Sequence, residues 1–399
     1  MTHPPIPPTT YEIALDFLSR DGAKLDAPAL VLKVRKAFPD ADPRELNLAV
    51  ETYIARRQAP DKLGEWAREG HFSVSLLQQA SRESIASYRA RYFAGRRHIL
   101  EIGTGTGSDT AALARVAEHV TTIDGDPDTC ELAKRNLSLQ GITNVTFLVG
   151  KAEELIPSLT NPFDALFADP MRRTKSGERV WSGEDYAPPL SFLLGLQIGS
   201  LRAIKISPGL FVDPCPDGWS RQFVGYGEEC LEQTLWFGSS VPDSSIVVTD
   251  RNVSWAPPQV ATIPARADSL EGFIVEAHST LNRCQHLDAF FAERAIKPIA
   301  DDVAYGIADL QPEPSNLLSS YRIIESVPYS RKNLKPILTR LLWSNRTELK
   351  KRNFSGDIEQ IRAELDLPKH THTSPFGVVF FFRYHGKPWA VVAERLHEK

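Results

Sequence analysis

The chain has 399 residues, of which 42% are hydrophobic and 24% are charged, and its formal net charge is -4. This length predicts two to four domains instead of one core, and the composition is typical of a globular protein. The charge balance excludes a uniformly basic nucleic-acid-binding chain but is compatible with a local basic face.

Neither the cysteines nor the histidines predict a disulfide framework or a metal site. The four cysteines lie far apart with no C-x-x-C pair, and His278, His286, His370 and His372 are scattered. The absence of paired cysteine motifs favours a reducing compartment. The N-terminus lacks the basic start and apolar run of a signal peptide, and no apolar run approaches the roughly 18 residues that span a bilayer. We therefore expect a cytoplasmic protein that binds no metal and no membrane.

The first part of the chain is predicted to be helical. Residues 1–10 are rich in proline and threonine and are expected to form a disordered lead-in. From Tyr11 onward the apolar residues recur at helical spacing, and Pro43 marks a helix start. We predict a helical domain over residues 1–94, whose last helical pattern is SLLQQASRESIASYRARYF.

From His98 onward, short strand and helix patterns alternate. The predicted strands are HILEIG, VTTIDGD, VTFLVG, FDALFADP and LRAIKISPG, with helical segments such as SDTAALARVAEH between them. This alternation with short connections predicts an α/β core with a parallel sheet covered on both faces, which we place at residues 95–252. CLEQTLWFG and SSIVVTD are predicted to close it as an antiparallel pair.

Three prolines within residues 251–265 mark a boundary. The apolar segment GFIVEAHSTL, a helix HLDAFFAER and a short mixed region follow it. The chain then continues with YRIIES and the helix LKPILTRLLW. It ends on two predicted strands, VVFFFRY and WAVVAERL, which form the hairpin of a small α+β module.

The strongest chemical signal is the segment ILEIGTGTG. Gly103, Gly105 and Gly107 follow a strand directly and open a helix, where glycines let the backbone approach a ligand. A tight turn alone would explain a lone glycine pattern. However, Glu101 precedes the glycines, and Asp124 ends the next strand about 20 residues later, where a carboxylate can hold both ribose hydroxyls. The spacing is G-x-G-x-G, so the sequence predicts a nucleoside site without a pyrophosphate clamp.

A second candidate site lies at the end of FDALFADP. Asp169 and Pro170 stand at the carboxyl end of a central strand, where doubly wound sheets place their ligands. Asp169 can orient or deprotonate an N–H or O–H nucleophile, and a turn cap is the alternative. Arg172 and Arg173 suit a phosphate or carboxylate on the substrate, although internal salt bridges would explain them equally well. Tyr186, within E-D-Y-A-P-P-L, is a further candidate substrate contact.

E-I-G-T-G-T-G, I-D-G-D-P and the strand ending in D-P resemble motifs I, II and IV of class I S-adenosylmethionine-dependent methyltransferases. The resemblance implies a Rossmann-like seven-stranded core with S-adenosylmethionine as its cofactor. It also implies that Glu101 faces the methionine amino group, that Gly103 and Gly105 lie against the cofactor, and that Asp124 binds the ribose. The implied cofactor contacts are Gln79, Ser81, Glu101, Gly103, Gly105, Gly107, Asp124, Gly125, Lys151, Ala152 and Asp169.

Two motifs depart from the family pattern. After VTFLVG the family often has an aspartate that holds the adenine amino group, whereas this chain has Lys151, with Glu153 as a possible substitute. Methyltransferases that act on amino groups of bases often carry N-P-P-Y or D-P-P-Y in motif IV. There, the side chain and a neighbouring carbonyl hold the amine. This chain has D-P-M-R-R instead.

The resemblance extends over nearly the whole chain. D-P-M-R-R, E-D-Y-A-P-P-L and K-I-S-P-G-L are similar to a bacterial methyltransferase group with the signature D-P-A-R-R. That group has a helical N-terminal domain, a methyltransferase core, a ferredoxin-like insert and a THUMP-like C-terminal domain, which we place at 266–322 and 323–399. Q-A-S-R-E-S resembles the group's segment before the core, which implies that Gln79 and Ser81 pack at the methionine end of the cofactor.

The C-terminal stretch is locally basic and carries interleaved aromatic residues, Tyr329 and Trp343. The cations are Arg322, Arg331, Lys332, Lys335, Arg340, Arg346, Lys350, Lys351 and Arg352. A basic face with aromatics suits structured RNA, whereas a solvated helix face is the usual meaning of a charge run. We predict an RNA methyltransferase that acts on a base nitrogen.

Three alternatives stay open. The enzyme could instead methylate a small anionic metabolite or a protein side chain. A binding module that keeps the cofactor fold without catalysis is the second alternative. A nicotinamide oxidoreductase is the third, and the glycine spacing disfavours it.

Overall fold

The computed structural model describes residues 9–22, 25–160, 162–172, 182–210, 212, 214–260, 262–301 and 303–396. The chain divides into two compact units. The first comprises Met1–Ser220 and Thr234–Ser240, and the second comprises Arg221–Gln233 and Val241–Lys399. Among the described residues, no helix is both long and apolar enough to cross a bilayer.

Among the described residues, six α-helices open the first unit. They are α1 (Thr10–Asp21), α2 (Ala27–Ala37), α3 (Pro43–Ala55), α4 (Pro60–Leu63), α5 (Val74–Gln79) and α6 (Glu83–Ala90). The helix start predicted at Pro43 is confirmed, because Asp42 caps α3 and Pro43 occupies its first position. The predicted lead-in lies mostly outside the described residues, and Thr9 caps α1.

The last helical pattern is interrupted, where the sequence predicted one continuous run. α5 ends at Gln79 and α6 begins at Glu83, with extended backbone at Ala80 and Arg82 between them. The buried Ser81 hydrogen-bonds into the neighbouring core through its side chain and its carbonyl oxygen. These tertiary hydrogen bonds replace those of a helix turn, which propensity alone does not reveal.

The rest of the first unit alternates strands with helices. The strands are β1 (His98–Ile102), β2 (His119–Asp124), β3 (Val145–Val149), β4 (Ala165–Ala168) and β5 (Leu201–Ile206). The helices are α7 (Ser108–Ala114), α8 (Pro127–Leu139), α9 (Ala152–Leu155) and α10 (Leu190–Gly195). All five strands run parallel in the order β3-β2-β1-β4-β5, followed by β7 (Glu229–Phe237), whose last residues belong to this unit. The predicted parallel α/β core is confirmed.

The first residues of β7 belong to the second unit, beside β6 (Trp219–Tyr226), β8 (Ser245–Val248) and β9 (Val253–Trp255). The order there is β7-β6-β8-β9. The predicted antiparallel pairing of CLEQTLWFG with SSIVVTD is wrong, because β8 pairs in parallel with β6 and antiparallel with β9. Strand β6 was not predicted, because its polar residues, including the buried Gln222, hide the strand pattern.

A seven-stranded sheet forms the larger part of the second unit, in the order β11-β12-β10-β13-β16-β15-β14. Its strands are β10 (Phe273–Ala277), β11 (Lys297–Ala300), β12 (Val303–Ala308), β13 (Leu318–Pro328), β14 (Glu348–Lys351), β15 (Val378–Tyr384) and β16 (Lys387–Arg395). Its helices are α11 (Ser279–Arg283), α12 (Leu287–Ala292), α13 (Arg331–Arg340) and α14 (Ile358–Leu365). The predicted terminal hairpin is confirmed by the antiparallel pairing of β15 with β16.

The sequence of β15 is almost continuously apolar because both faces of the strand are buried. Phe380 and Phe382 enter one buried cluster of this sheet, whereas Val379 and Phe381 enter another that includes the apolar faces of α13 and α14. Because alternate residues of a strand point to opposite faces, a strand that is covered on both sides needs apolar residues throughout.

Candidate active site

The carboxyl ends of three strands in the first unit lie level. Ile102, the last residue of β1, stands opposite Ile123 in β2 and Ala168 in β4. The backbone bonds continue one residue further, since the Gly103 N–H donates to the Ile123 carbonyl and the Asp169 N–H donates to the Ile102 carbonyl, both at 2.8 Å. The strand register therefore brings the glycine loop, Asp124 and Asp169 to one edge of the sheet.

Each of the three loop positions favours glycine for a different physical reason. A Cβ at Gly103, whose φ is +91°, would lie 2.3 Å from the carbonyl oxygen of Asp169, so this glycine lets the two strand ends touch. A Cβ at Gly107 would lie 2.5 Å from the Leu137 side chain. Gly105 has a positive φ but faces open space, with nothing within 4 Å of an added Cβ. Gly105 is thus the glycine whose open face can accept a ligand.

Asp124 connects the end of β2 to the glycine loop. Its Oδ2 accepts the backbone N–H groups of Thr104 at 3.0 Å and Gly105 at 3.3 Å, and its Oδ1 accepts that of Asp126 at 3.1 Å. Burial raises the pKa of Asp124, and these N–H groups oppose the rise. The carboxylate oxygens keep lone pairs for further donors, such as ribose hydroxyls. Gly125 is exposed and leaves open space beside it.

Glu101 is a buried carboxyl with incomplete compensation. Its side chain is fully buried; Oε2 accepts the Thr110 hydroxyl at 2.6 Å, while Oε1 makes no hydrogen bond within the described part of the chain. Burial raises the pKa of Glu101 to about 8, although the Thr110 hydroxyl acts in the opposite direction. A buried acceptor without a partner suits a site that receives a cationic group.

These features fit S-adenosylmethionine. Glu101 Oε1 is a buried acceptor without a partner in the described part of the chain, as an incoming ammonium group requires. Asp124 keeps lone pairs that hydroxyl groups can use, and Gly105 and Gly125 border open space. The G-x-G-x-G spacing of the loop differs from the G-x-G-x-x-G spacing of a loop that binds a pyrophosphate. Among the described residues, no three His, Cys, Asp or Glu side chains converge to hold a metal ion.

Asp169 forms an ion pair that the sequence analysis missed. The Nζ of Lys205, in β5, donates to its Oδ2 at 2.7 Å; the Lys205 side chain is 4% exposed and that of Asp169 is 21% exposed. Burial alone would raise the pKa of Asp169, but the positive charges of Lys205 and Arg172 lower it below its usual value. Pro170 is buried. The signal was a lysine flanked by two isoleucines in the strand LRAIKI, since an unpaired lysine is almost never buried.

Among the other predicted contacts, Ser81 lies close to Asp169, because Lys205 Nζ also donates to the Ser81 Oγ at 2.9 Å. Gln79 is exposed and its amide donates to the Ser75 hydroxyl. Lys151 is also exposed and pairs with Glu154 at 3.3 Å. The structure thus brings Ser81 to the site and leaves the side chains of Gln79 and Lys151 with local partners.

The predicted substrate contacts differ in their surroundings. Tyr186 is buried in the apolar core, where its hydroxyl accepts the Ser207 N–H at 3.2 Å, and its pKa is raised by burial. Arg172 lies near enough to Asp169 to lower its pKa. Ala152 is buried in the same core as Tyr186. Arg173 lies outside the described residues.

Comparison with known proteins bears on both units. Residues 99–178 match the family model described as Methyltransferase domain, and residues 318–395 match the model described as THUMP domain-like. An uncharacterized S-adenosylmethionine-dependent methyltransferase of Mycobacterium tuberculosis is 25% identical over 336 residues, which cover 80% of this chain and 88% of that protein. The crystal structure of a proposed methyltransferase from Porphyromonas gingivalis W83 has a TM-score of 0.74 at 17% identity, covering 97% of this chain and 98% of that one. That likeness shows a shared fold.

Shorter matches involve proteins with different substrates. A protein-L-isoaspartate O-methyltransferase of Ignicoccus hospitalis is 28% identical over 184 residues, 41% of this chain and 81% of that protein. An uncharacterized RNA methyltransferase of Halalkalibacterium halodurans is 26% identical over 167 residues, 39% of this chain and 36% of that protein. Similarity over part of the chain therefore does not select a substrate.

We predict that Asp124→Ala weakens binding of S-adenosylhomocysteine, measured by titration calorimetry. Charge-assisted hydrogen bonds to the ribose are worth about 1.5–3 kcal/mol, and Asp124→Asn should lose part of that amount. Asp128→Ala, an exposed carboxylate on the first turn of α8, is the matched control and should bind normally. Equal affinities for the Asp124→Ala variant and the control would remove Asp124 from the cofactor site.

We also predict a pH effect on the stability of the cofactor-free protein. The folded-state pKa of Glu101, about 8, lies above the usual value of 4.5, so the folded state binds more protons between these values. The free energy of unfolding should therefore decline as pH rises from about 4.5 to about 8 and level off above 8, because the unfolded state loses this proton over that range while the folded state keeps it. Glu101→Gln should flatten this decline in urea titrations between pH 6 and 9, whereas the exposed-site control Glu118→Gln should not. Identical profiles for both variants would contradict the burial argument.

Proposed function

We propose that this S-adenosylmethionine-dependent methyltransferase transfers a methyl group to a base nitrogen in RNA, and that it belongs to the bacterial group with the D-P-A-R-R signature. The catalytic unit alone does not identify the acceptor. The observation that supports RNA is the THUMP domain-like match at residues 318–395, together with the exposed cations and aromatic surface of that region. The partial similarity to an RNA methyltransferase agrees with this choice.

Two exposed features of the C-terminal region are suited to RNA. Arg331 and Lys332 are exposed at the start of α13. The Arg346 guanidinium lies 4.7 Å from the ring centroid of Phe376, which is 46% exposed, and the His370 ring packs edge-on against Phe376. Cations attract the phosphate backbone, and an exposed aromatic ring stacked with arginine offers a surface for unpaired bases.

Other residues of the predicted basic stretch stabilise the module itself. Arg322 pairs with Glu394 at 2.7 Å, and Arg340 pairs with Glu325. Lys350 is 19% exposed and pairs with Glu276 and with Glu348. The expectation that Trp343 contributes to an exposed aromatic face is wrong: it is 3% exposed and packs into the core with α13. Trp343 follows the end of α13 at Arg340, and its backbone N–H donates to the Leu338 carbonyl at 3.1 Å.

In the proposed reaction the cofactor supplies the methyl group, and the side chains of the protein orient the acceptor and take up its proton. When bound, S-adenosylmethionine supplies a methyl group that its sulfonium already makes electrophilic. Asp169 accepts an N–H of the acceptor amine, so that the nitrogen lone pair is aimed at the methyl carbon. The same carboxylate takes the proton that the nitrogen loses after transfer and passes it to solvent.

A small anionic acceptor is the second candidate. Arg172 lies near Asp169, and an arginine at the mouth of this site suits a carboxylate or phosphate on a metabolite or protein side chain. The RNA proposal is preferred because a metabolite enzyme does not require a second module with exposed cations and a stacked aromatic residue.

We predict that binding of bulk tRNA weakens steeply with salt, because bound cations release counterions from the phosphates. Arg331→Glu/Lys332→Glu should reduce the slope of log affinity against log salt by about 2 in filter binding. Arg35→Glu/Lys36→Glu, the same residue pair at exposed positions of α2, is the matched control. No retained tRNA at low salt, or equal losses in both variants, would favour the small-acceptor candidate.

We predict that Asp169→Ala retains S-adenosylhomocysteine binding but transfers methyl label to cellular RNA about 10²–10⁴-fold more slowly, the usual contribution of a positioned acid–base group. Asp169→Asn keeps an acceptor oxygen, so partial activity indicates orientation and near-complete loss indicates proton acceptance. Full turnover by the alanine variant would show that Asp169 only shapes the turn.

A further inference from the structure

Asp169 stands at one end of a buried chain of polar side chains in the first unit. Arg89, in α6, donates to Asp109 Oδ1 at 2.6 Å, and Ser81 Oγ donates to Asp109 Oδ2 at 2.6 Å. Lys205 donates to Ser81 Oγ at 2.9 Å and to Asp169 Oδ2 at 2.7 Å. This network of hydrogen bonds thus connects α6, α7, the segment between α5 and α6, β5 and the end of β4.

The network contains equal numbers of cations and anions, and only its Asp169 end is partly exposed. Arg89, Asp109 and Lys205 have side chains that are 3%, 8% and 4% exposed, whereas Asp169 is 21% exposed. Two cations therefore face two anions in a buried environment, which is the condition under which buried charges are tolerated. The exposed part of the network is the carboxylate at the strand ends, beside Gly103.

Ser81 is held in this network from two sides. Its carbonyl oxygen accepts the Ser108 hydroxyl at 3.0 Å, where α7 begins. Lys62 donates to the carbonyl oxygens of Leu77 and Gln78 at 2.7 and 2.8 Å, which fixes the end of α5 just before Ser81. The segment between α5 and α6 therefore supplies Lys205 with a neutral second acceptor, in addition to the Asp169 carboxylate.

We infer that Lys205 is a positioning residue for methyl transfer, which holds Asp169 ionised and oriented so that one carboxylate oxygen remains for the acceptor N–H. This inference rests on the role proposed for Asp169. Lys205 does not touch the acceptor; it occupies Oδ2 and leaves Oδ1 for substrate. A carboxylate fixed in this way is an acceptor in every turnover and needs no prior deprotonation.

The pairing also favours one class of acceptor. A weakly basic carboxylate removes a proton poorly from a neutral alcohol, but it accepts a proton readily from a nitrogen that has become cationic by methylation. The network therefore suits a neutral amino or imino nitrogen, such as those of nucleobases, better than a hydroxyl group. This deepens the proposed function by specifying an N–H acceptor.

The direct test is the titration of Asp169 in the cofactor-free protein. Carbonyl-labelled aspartate, with the resonance assigned by Asp169→Asn, reports the pKa of this carboxyl by NMR. The groups that interact electrostatically with Asp169 are Lys205, Arg172, Arg89, Glu101 and Tyr186. Two further charged groups act on these: Lys62 on Lys205, and Asp109 on Glu101. Lys205→Met should move the Asp169 titration to higher pH, whereas Lys205→Arg should leave it low. An unchanged titration in Lys205→Met would overturn the inference.

A double-mutant cycle tests the catalytic consequence. Lys205→Met should lower kcat at least tenfold in the wild-type background, move the acidic limb of the pH profile upward, and have little further effect in the Asp169→Asn background. Lys205→Arg should restore part of the rate. Lys205→Gln, which keeps an amide donor, supplies the same comparison if the methionine variant does not fold. Equal losses in both backgrounds would mean that Lys205 has a structural role only.

The two proposals fail in different ways. If Asp169→Ala and Asp169→Asn both keep full turnover, the role of Asp169 is wrong and the role of Lys205 falls with it. If Asp169 variants are slow but Lys205→Met is as fast as the wild type with an unchanged pH profile, Asp169 acts without Lys205. If label enters protein instead of RNA while the cycle behaves as predicted, the positioning role stands and the RNA proposal is wrong.

Discussion

The close approach of the β1 and β4 ends is the constraint on which the site depends. Gly103 lies so near the Asp169 carbonyl that no side chain fits between them, and the Asp169 N–H donates to the Ile102 carbonyl. Parallel pairing then sets the end of β2 at the same level, so Asp124 reaches the glycine loop. Gly103, Asp124 and Asp169 are neighbours because the strand register brings the ends of their strands level.

The buried charged side chains at this sheet edge are compensated in two different ways. Asp169, Lys205, Asp109 and Arg89 compensate one another through direct ion pairs. Glu101 has no such partner among the described residues, and burial raises its pKa. We propose that the two carboxyl groups at this sheet edge have different functions: Asp169 is held ionised where the acceptor binds, and Glu101 is left to be matched by the cofactor's cation. Neither arrangement would be expected from stability alone, since apolar residues would fill these positions at lower cost.

The sequence predicted the features that local periodicity determines. The β-α alternation after His98 and the terminal hairpin are visible as patterns, and both are present. The break at Ser81, the burial of Lys205 and strand β6 were missed, because each depends on hydrogen bonds or pairing with residues far away in the sequence. The basic C-terminal stretch was predicted as one surface; Lys350 and Arg340 belong instead to ion pairs within the module, since charge counts do not show which cations have carboxylate neighbours.

The chain combines a methyltransferase unit with buried charges at its candidate site and a C-terminal module with an exposed cationic and aromatic surface. We propose that the methyl group is transferred to a base nitrogen of RNA. Mass spectrometry of nucleosides from RNA treated with the enzyme and S-adenosylmethionine measures this most directly. We predict that one nucleoside gains a methyl group on its base, and that RNA treated with Asp169→Ala lacks it. A methyl group on the ribose, or no change in any nucleoside, would contradict the claim.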